Sequence, residues 1–68
     1  ELSQLRYFIA VAKLGNMSKA AETLFVSQPN LSTSISRLEE EVASLFERRR
    51  GKIALNQNGE LLLKGVEQ

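Results

Sequence analysis

The 68-residue sequence contains no cysteine, no histidine and no aspartate. Without cysteine there is neither a disulfide framework nor a thiolate zinc site. Without histidine and aspartate, the chain lacks the commonest general base, the commonest metal ligand and the Ser-His-Asp type of nucleophile activation. These absences argue against an enzyme and favour a binding module that carries no cofactor.

Long apolar runs and net charge are also lacking. No segment approaches the about 18–20 apolar residues that span a membrane, and no signal peptide is visible, so we expect a cytoplasmic protein without a membrane partner. The length fits one small domain, and an apolar fraction of 43% predicts that it folds. Because the first residue is not Met, we expect a piece of a longer protein.

The net charge is only +1, but the charges are unevenly distributed. A basic cluster is formed by Arg48, Arg49, Arg50 and Lys52, and an acidic block occupies residues 39–41. Charge segregated in this way can orient a domain on a phosphate backbone even when the total is near zero.

Residues 26–42 predict one helix with two unlike faces. Ser27 is the expected N-cap, and Pro29 falls in the first turn, where its missing N–H costs nothing. One apolar stripe at the helical period is formed by Leu31, Ile35, Leu38 and Val42. The opposite face carries amides and hydroxyls with no charge before Arg37, which suits the reading of base edges in a DNA major groove. We therefore predict a recognition helix over 28–42; the alternative is merely a well-capped helix start.

Two helices are predicted before this one. The first spans 2–14, with a stripe of Leu2, Leu5, Ile9 and Ala12 that Phe8 widens, and it ends at Gly15. The second spans 17–24, with Asn16 or Ser18 as its N-cap. A short helix, a turn and a helix with a polar outer face predict a helix-turn-helix, although a plain three-helix domain could give the same spacing.

After residue 42 the pattern changes to two short strands, 45–48 and 52–55, joined through residues 49–51 with Gly51 in the turn. The hairpin must pack on the helices through Leu45, Phe46, Ile53 and Leu55. It would present the basic cluster beside the recognition helix, as a wing that reaches phosphates or the minor groove. The alternative is a solvated charged loop.

Asn56 is the expected N-cap of a last helix over 57–68. Its apolar residues are Leu61, Leu62, Leu63 and Val66. These side chains either close the core or pack against a second copy of the chain. The predicted fold is mainly α with a small β-hairpin: three helices, a two-stranded wing and a C-terminal linker helix, with residues 1–56 as the winged helix-turn-helix domain and 57–68 as the start of the linker.

Several motifs resemble the amino-terminal domain of LysR-type transcriptional regulators. The matching runs are Ser18-Lys19-Ala20-Ala21-Glu22-Thr23-Leu24, Val26-Ser27-Gln28-Pro29-Asn30-Leu31-Ser32 and Leu45-Phe46-Glu47-Arg48. The resemblance implies a bacterial regulator that binds double-stranded DNA, forms a homodimer through the linker helix and assembles as a tetramer when complete. It also implies that a small-molecule effector binds a separate domain absent from these residues.

The resemblance implies roles for individual positions as well. Gln28, Pro29, Ser32 and Thr33 match residues that enter the major groove, Ser18 and Lys19 match phosphate contacts, and Arg50 matches a basic residue at the wing tip. Thr33 stands where the family often has Arg, so a strong guanine reader is missing. The connection 42–44 is one residue shorter than usual and lacks its customary Gly, and Asn56 replaces a common Thr.

The favoured hypothesis is a sequence-specific DNA-binding domain. The predicted base-reading residues are Gln28, Pro29, Asn30, Ser32, Thr33 and Ser36. The predicted phosphate or minor-groove residues are Ser18, Lys19, Ser27, Arg37, Arg48, Arg49, Arg50 and Lys52. The predicted dimer interface is Leu61, Leu62, Leu63 and Val66. A second hypothesis, favoured by the acidic block and the near-neutral charge, is a helical protein–protein adaptor that does not bind DNA.

Overall fold

The computed structural model describes residues 2–67 and contains four helices and one antiparallel hairpin. The predicted mainly α fold with a small wing is confirmed. The elements, in chain order, are α1 Leu2–Leu14, α2 Met17–Leu24, α3 Gln28–Glu41, β1 Phe46–Arg49, β2 Lys52–Leu55 and α4 Gln57–Glu67. Gln68, the predicted end of the last helix, lies outside the described residues. Within residues 2–67, no helix is both long and apolar enough to cross a membrane.

Helix α1 is the central element of the core, because α2, α3, β2 and α4 all contact it. Phe8 and Val11 are completely buried, whereas Leu5, Ile9 and Ala12 are only half-buried. The most buried line of α1 is therefore shifted from the predicted stripe toward Phe8 and Val11, since elements pack on several sides of this helix, as the apolar residues outside the stripe also indicated. The side chain of Leu2, also assigned to that stripe, lies outside the described residues.

Helix α2 begins at Met17, and its N-cap is Asn16, the first of the two predicted caps. The backbone N–H of Lys19 donates to Oδ1 of Asn16 at 2.9 Å. Ala20 and Ala21 are buried, so α1 and α3 can approach α2 closely. The helix ends at Leu24, and its C-cap Phe25 has a left-handed backbone with φ 58° and a residue exposure of 94%. The turn before α3 is thus tight, and the ring of Phe25 is exposed to solvent.

Helix α3 begins as predicted: the backbone N–H of Asn30 donates to Oγ of Ser27 at 3.2 Å. Its buried side chains are Leu31, Ile35 and Leu38. The predicted bound of 42 was one residue too long. Val42 is the C-cap, and it is 58% exposed instead of continuing the buried stripe, because the chain leaves the helix there to begin the wing.

The hairpin of residues 46–55, called the wing below, pairs Phe46 with Leu55 and Arg49 with Lys52. Strand β1 begins one residue later than predicted and includes Arg49. The loop is therefore the two residues Arg50 and Gly51, with φ of 52° and 78°. Positive φ at both positions fits a type I′ turn, whose twist matches that of the flanking strands.

The wing is anchored to the helices at its base. Leu45, Phe46 and Ile53 are buried and Leu55 is half-buried, so all four predicted packing residues contact the core. The rings of Phe8 and Phe46 lie 5.6 Å apart. These apolar residues at the base of the wing thus join it to α1, even though the connection of residues 42–44 is short.

Helix α4 has the predicted cap, because the backbone N–H of Gly59 donates to Oδ1 of Asn56 at 2.9 Å. The amide nitrogen of Asn56 also donates to the carbonyl of Ser44 at 2.9 Å, which ties the helix start to the connection before the wing. Leu62 and Leu63 are half-buried against the core, whereas Leu61 is 64% exposed. Part of the apolar surface of α4 therefore closes the core, and part faces outward.

Candidate nucleic-acid interface

The polar face of α3 consists of the predicted base-reading residues, and the helix presents most of them to solvent. Exposed residues are Gln28, Pro29, Asn30, Thr33 and Ser36, and Ser32 is half-buried. Positions 29, 33 and 37 recur at intervals of four, which is one line along the outer surface of a helix. The line of residues 29, 33 and 37 is thus opposite the line of Leu31, Ile35 and Leu38 that enters the core, and Gln28 is exposed at the start of the helix.

A cleft of about 290 Å³ lies between the starts of α2 and α3 and the wing. Ser18 and Gln28 line it from the helices, and Arg48, Gly51 and Lys52 line it from the wing. We call it the wing cleft. It brings the amino end of the polar face and two members of the basic cluster to one side of the molecule, although they are at least twenty residues apart in the chain.

Met17 and Asn16 also line the wing cleft, and sequence reasoning did not assign them to the site. Asn16 was considered only as a helix cap. The available signal was that Asn16 lies two residues before Ser18. Residues at the start of one helix lie at the same end of that helix, so a site that includes Ser18 is close to Asn16 as well.

The arginines of the wing do not all face the same way. Strand alternation puts Arg48 on the same side as Phe46, and the partner of Arg48 across the hairpin is the buried Ile53. Arg49 lies on the opposite side, where its Nε is 3.4 Å from Oε1 of Glu47. Arg48 therefore lines the wing cleft, whereas Arg49 belongs to the outer surface of the wing.

The remaining predicted phosphate residues are exposed around this region. Lys19 lies in the first turn of α2, Arg37 lies on α3, and Arg50 lies at the wing tip with φ 52°. The oxygen of the Ser27 hydroxyl already accepts the backbone N–H of Asn30, which leaves its proton free to donate. The hydroxyl of Ser18 donates to Oε1 of Gln28 at 2.9 Å, so these two side chains are joined across the helix-turn-helix.

The acidic block separates into two kinds of residue. Oε2 of Glu39 accepts the backbone N–H groups of Leu45 at 2.7 Å and Phe46 at 3.2 Å, and this side chain therefore holds the wing against α3. Glu40 is exposed, four residues after Ser36 on the outer surface. Sequence reasoning missed the role of Glu39; the signal was its place four residues after the buried Ile35. The negative charge at Glu40 disfavours contact between the far end of α3 and a polyanion.

The helix-turn-helix of α2 and α3, with a basic hairpin packed beside it, defines the class: this is a winged helix-turn-helix. A family model described as "Bacterial regulatory helix-turn-helix protein, lysR family" matches residues 2–60. The chain therefore belongs to the lysR family of bacterial regulatory helix-turn-helix proteins.

Individual relatives agree with this assignment. The chain is 49% identical over 61 residues to the HTH-type transcriptional regulator BudR of Klebsiella aerogenes, covering 88% of the chain and 43% of BudR. It is 48% identical over 65 residues to the Hca operon transcriptional activator HcaR of Escherichia coli, covering 94% of the chain and 22% of HcaR. The chain thus spans less than half the length of each of these regulators.

Solved structures of similar domains share the whole fold. The DNA-binding domain of CbnR in complex with DNA superposes with a TM-score of 0.92 at 41% identity, covering 98% of this chain and 78% of that one. The DNA-binding domain of BenM with benA site 1 DNA superposes with a TM-score of 0.85 at 38% identity, covering 100% of this chain and 88% of that one.

Proposed function

We propose that these residues form the sequence-specific, double-stranded DNA-binding domain of a transcriptional regulator. The observation that carries the proposal is the wing cleft, where Gln28, at the amino end of the uncharged polar face of α3, lies together with the exposed basic residues Arg48 and Lys52 of the wing. Uncharged amides and hydroxyls on an exposed helix suit the donor and acceptor pattern of the major groove. Basic side chains beside them supply affinity for phosphates without reading sequence.

In this proposal Gln28, Ser32 and Thr33 read bases from the front of α3, and Pro29, Asn30 and Ser36 flank them. Each good base contact contributes about 1–3 kcal/mol of discrimination against the wrong base. Because Glu40 and Glu41 are exposed at the far end of the helix, only the amino-terminal turns of α3 enter the groove. This geometry matches docking of a helix by its first residues.

Phosphate contact is assigned to Arg48, Arg50 and Lys52 of the wing and to Lys19 and the Ser27 hydroxyl near the helix starts. Arg37 lies further along α3 and contacts the backbone at the edge of the groove. Arg49, on the outer surface of the wing beside Glu47, contributes mainly long-range charge. The two neighbouring arginines Arg48 and Arg49 therefore differ in function although they are identical in type.

The test begins with selection of bound sites from random duplexes, followed by fluorescence anisotropy on the selected site and a scrambled one at several salt concentrations. Gln28→Ala should reduce the preference for the selected site about fivefold or more, with a small effect on the scrambled duplex. Arg48→Ala should weaken binding to both duplexes, and it should reduce the slope of log affinity against log salt concentration (the salt slope) by about 0.9. Absence of binding to any duplex at low salt would refute the function and favour the adaptor hypothesis.

Arg49→Ala is the matched control for Arg48→Ala, since both remove one positive charge from adjacent residues of the same strand. We expect Arg49→Ala to leave a salt slope between those of the wild type and Arg48→Ala. Equal slopes for the two variants would contradict the assignment of Arg48 to a direct phosphate contact.

We also propose that residues 57–68 begin a linker helix through which two copies associate, as the resemblance implies. Support comes from a groove of about 680 Å³ between the end of α1, β2 and α4, which is lined by Leu61 and Leu63. Val66 and Leu62 continue the apolar surface of α4. Two copies would place their α3 helices in successive major grooves, about 34 Å apart, and the complete regulator would form a tetramer and bind its effector through other residues.

Analytical ultracentrifugation of the 68-residue chain tests this association. Leu61→Lys should shift the chain toward monomer, because it puts a charge on the exposed apolar surface of the groove. Val42→Lys is the matched control, since Val42 is 58% exposed and does not line the groove. If both variants associate as the wild type does, the linker helix is not the interface.

A further inference from the structure

The hydrogen bond between Ser18 and Gln28 joins the two helices of the helix-turn-helix at their front ends. Oγ of Ser18 donates to Oε1 of Gln28 at 2.9 Å, across ten residues of chain. Ser18 lies in the first turn of α2, and Gln28 is the first residue of α3. Both side chains are exposed and line the wing cleft, so the bond is at the surface that the proposed function assigns to DNA.

The bond restricts what each side chain can do. A serine hydroxyl has one proton, so while it donates to Gln28 it cannot donate to a phosphate oxygen. The Gln28 amide has an acceptor oxygen and a donor NH₂ group, and the bond holds the oxygen toward Ser18. Because the nitrogen is the other substituent on the amide carbon, the NH₂ group is directed away from Ser18.

We propose that Ser18 is a positioning residue for specificity: it fixes the Gln28 amide with its NH₂ group outward, so that Gln28 reads a keto base, guanine or thymine, in the major groove. Guanine presents O6 and N7 and thymine presents O4, all of which accept hydrogen bonds. Adenine would need the Gln28 oxygen to accept from its N6 amino group while the nitrogen donates to N7. This inference rests on the proposed function, and it gives Ser18 a role other than the phosphate contact that the resemblance implies.

The α2 cap does not depend on Ser18, because Asn16 accepts the backbone N–H of Lys19. Ser18→Ala therefore removes the bond to Gln28 without removing the helix cap. Water competes for this exposed bond in the free protein, but DNA that covers the cleft excludes that water, and a hydrogen bond is stronger where water is excluded.

The test uses the 68-residue chain and four duplexes that differ only at the base pair whose preference Gln28→Ala abolishes. The wild type should prefer guanine or thymine there. Ser18→Ala should reduce the preference over adenine by about threefold to tenfold, the range given by one net hydrogen bond. Ser18→Thr, which keeps the hydroxyl, should preserve the preference, and Ser18→Ala should have no further effect in a Gln28→Ala background.

Three results would overturn the inference alone: an equal loss of affinity by Ser18→Ala on all four duplexes, additivity of that loss with Gln28→Ala, or a wild-type preference for adenine. The first two would assign Ser18 to the phosphate backbone. If the wild type binds no duplex, or binds all sequences equally, the proposed function fails and this inference fails with it.

Discussion

Gly59 and Gly65 both lie in α4, and the same substitution should have opposite effects at the two positions. A Cβ built on Gly59 would overlap the carbonyl oxygen of Leu45 and would lie 2.7 Å from Cδ2 of Leu55. A Cβ on Gly65 meets no atom within 4 Å among the described residues 2–67, apart from its chain neighbours and the adjacent backbone of its own helix. Neither glycine has a left-handed backbone, so the surroundings of the side chain decide the outcome.

The decrease in the free energy of unfolding caused by Gly59→Ala can be estimated from the contacts at the start of α4. The clashing atom is a backbone carbonyl, which also accepts the backbone N–H of Asn56 at 2.9 Å. To make room, α4 must move away from the wing, which strains that bond and the bond from Asn56 to Ser44. Overpacking costs about 1–3 kcal/mol, and weakened hydrogen bonds add to it. Alanine regains about 1 kcal/mol through helix propensity, so the net loss should be about 2–3 kcal/mol.

Gly65→Ala should instead raise the free energy of unfolding by about 0.5–1 kcal/mol, because an exposed helical glycine gains propensity without a clash. For a chain of this size 1 kcal/mol shifts Tm by about 4–8 °C, so the two variants should differ in Tm by at least about 10 °C. Circular dichroism melts at one fixed protein concentration measure the difference. Equal shifts of the same sign would refute the close approach of α4 to the wing.

Other substitutions test the contact that Glu39 makes with the start of the wing and the two left-handed turn residues Phe25 and Arg50. Glu39→Ala should lower the free energy of unfolding by about 2–3 kcal/mol in urea titrations, since two backbone N–H groups lose a charged acceptor; the matched control Glu40→Ala should stay within about 0.5 kcal/mol, and equal losses would contradict the contact. Phe25→Asn should raise Tm by a few degrees, because asparagine tolerates a left-handed backbone and the exposed ring contributes little packing; a lower Tm would show that the ring packs. Arg50→Asn should also raise Tm, because it favours the type I′ turn, yet weaken binding to every duplex at low salt, and unchanged binding would remove Arg50 from the phosphate contacts.

The helix starts were predictable because their signals are local. Asn16, Ser27 and Asn56 each accept a backbone N–H three residues later, which is an interaction contained within one turn of chain. Gly15 ended α1 in the predicted left-handed conformation, with φ 61°. Such contacts form wherever the segment is placed, so the sequence predicted Ser27 and Asn56 as caps and narrowed the α2 cap to Asn16 or Ser18.

The buried line of α1, the end of α3 and the orientation of the wing were harder to predict. Phe8 and Val11 are at the centre of the core only because several elements pack around α1. Arg49 lies on the face of the wing opposite Arg48 because β1 starts at Phe46 and alternation then fixes its side. Each of these outcomes depends on contacts between segments that are distant in the chain.

The sequence by itself determined the order of the elements, their caps, the polar face of α3 and the resemblance to a family. Only the tertiary structure distinguished residues that are identical in type: Glu39 from Glu40, Arg48 from Arg49, and Gly59 from Gly65. The physical reason is that a periodic pattern reports which side of an element is apolar, whereas a specific contact depends on which remote atoms approach that side and how closely.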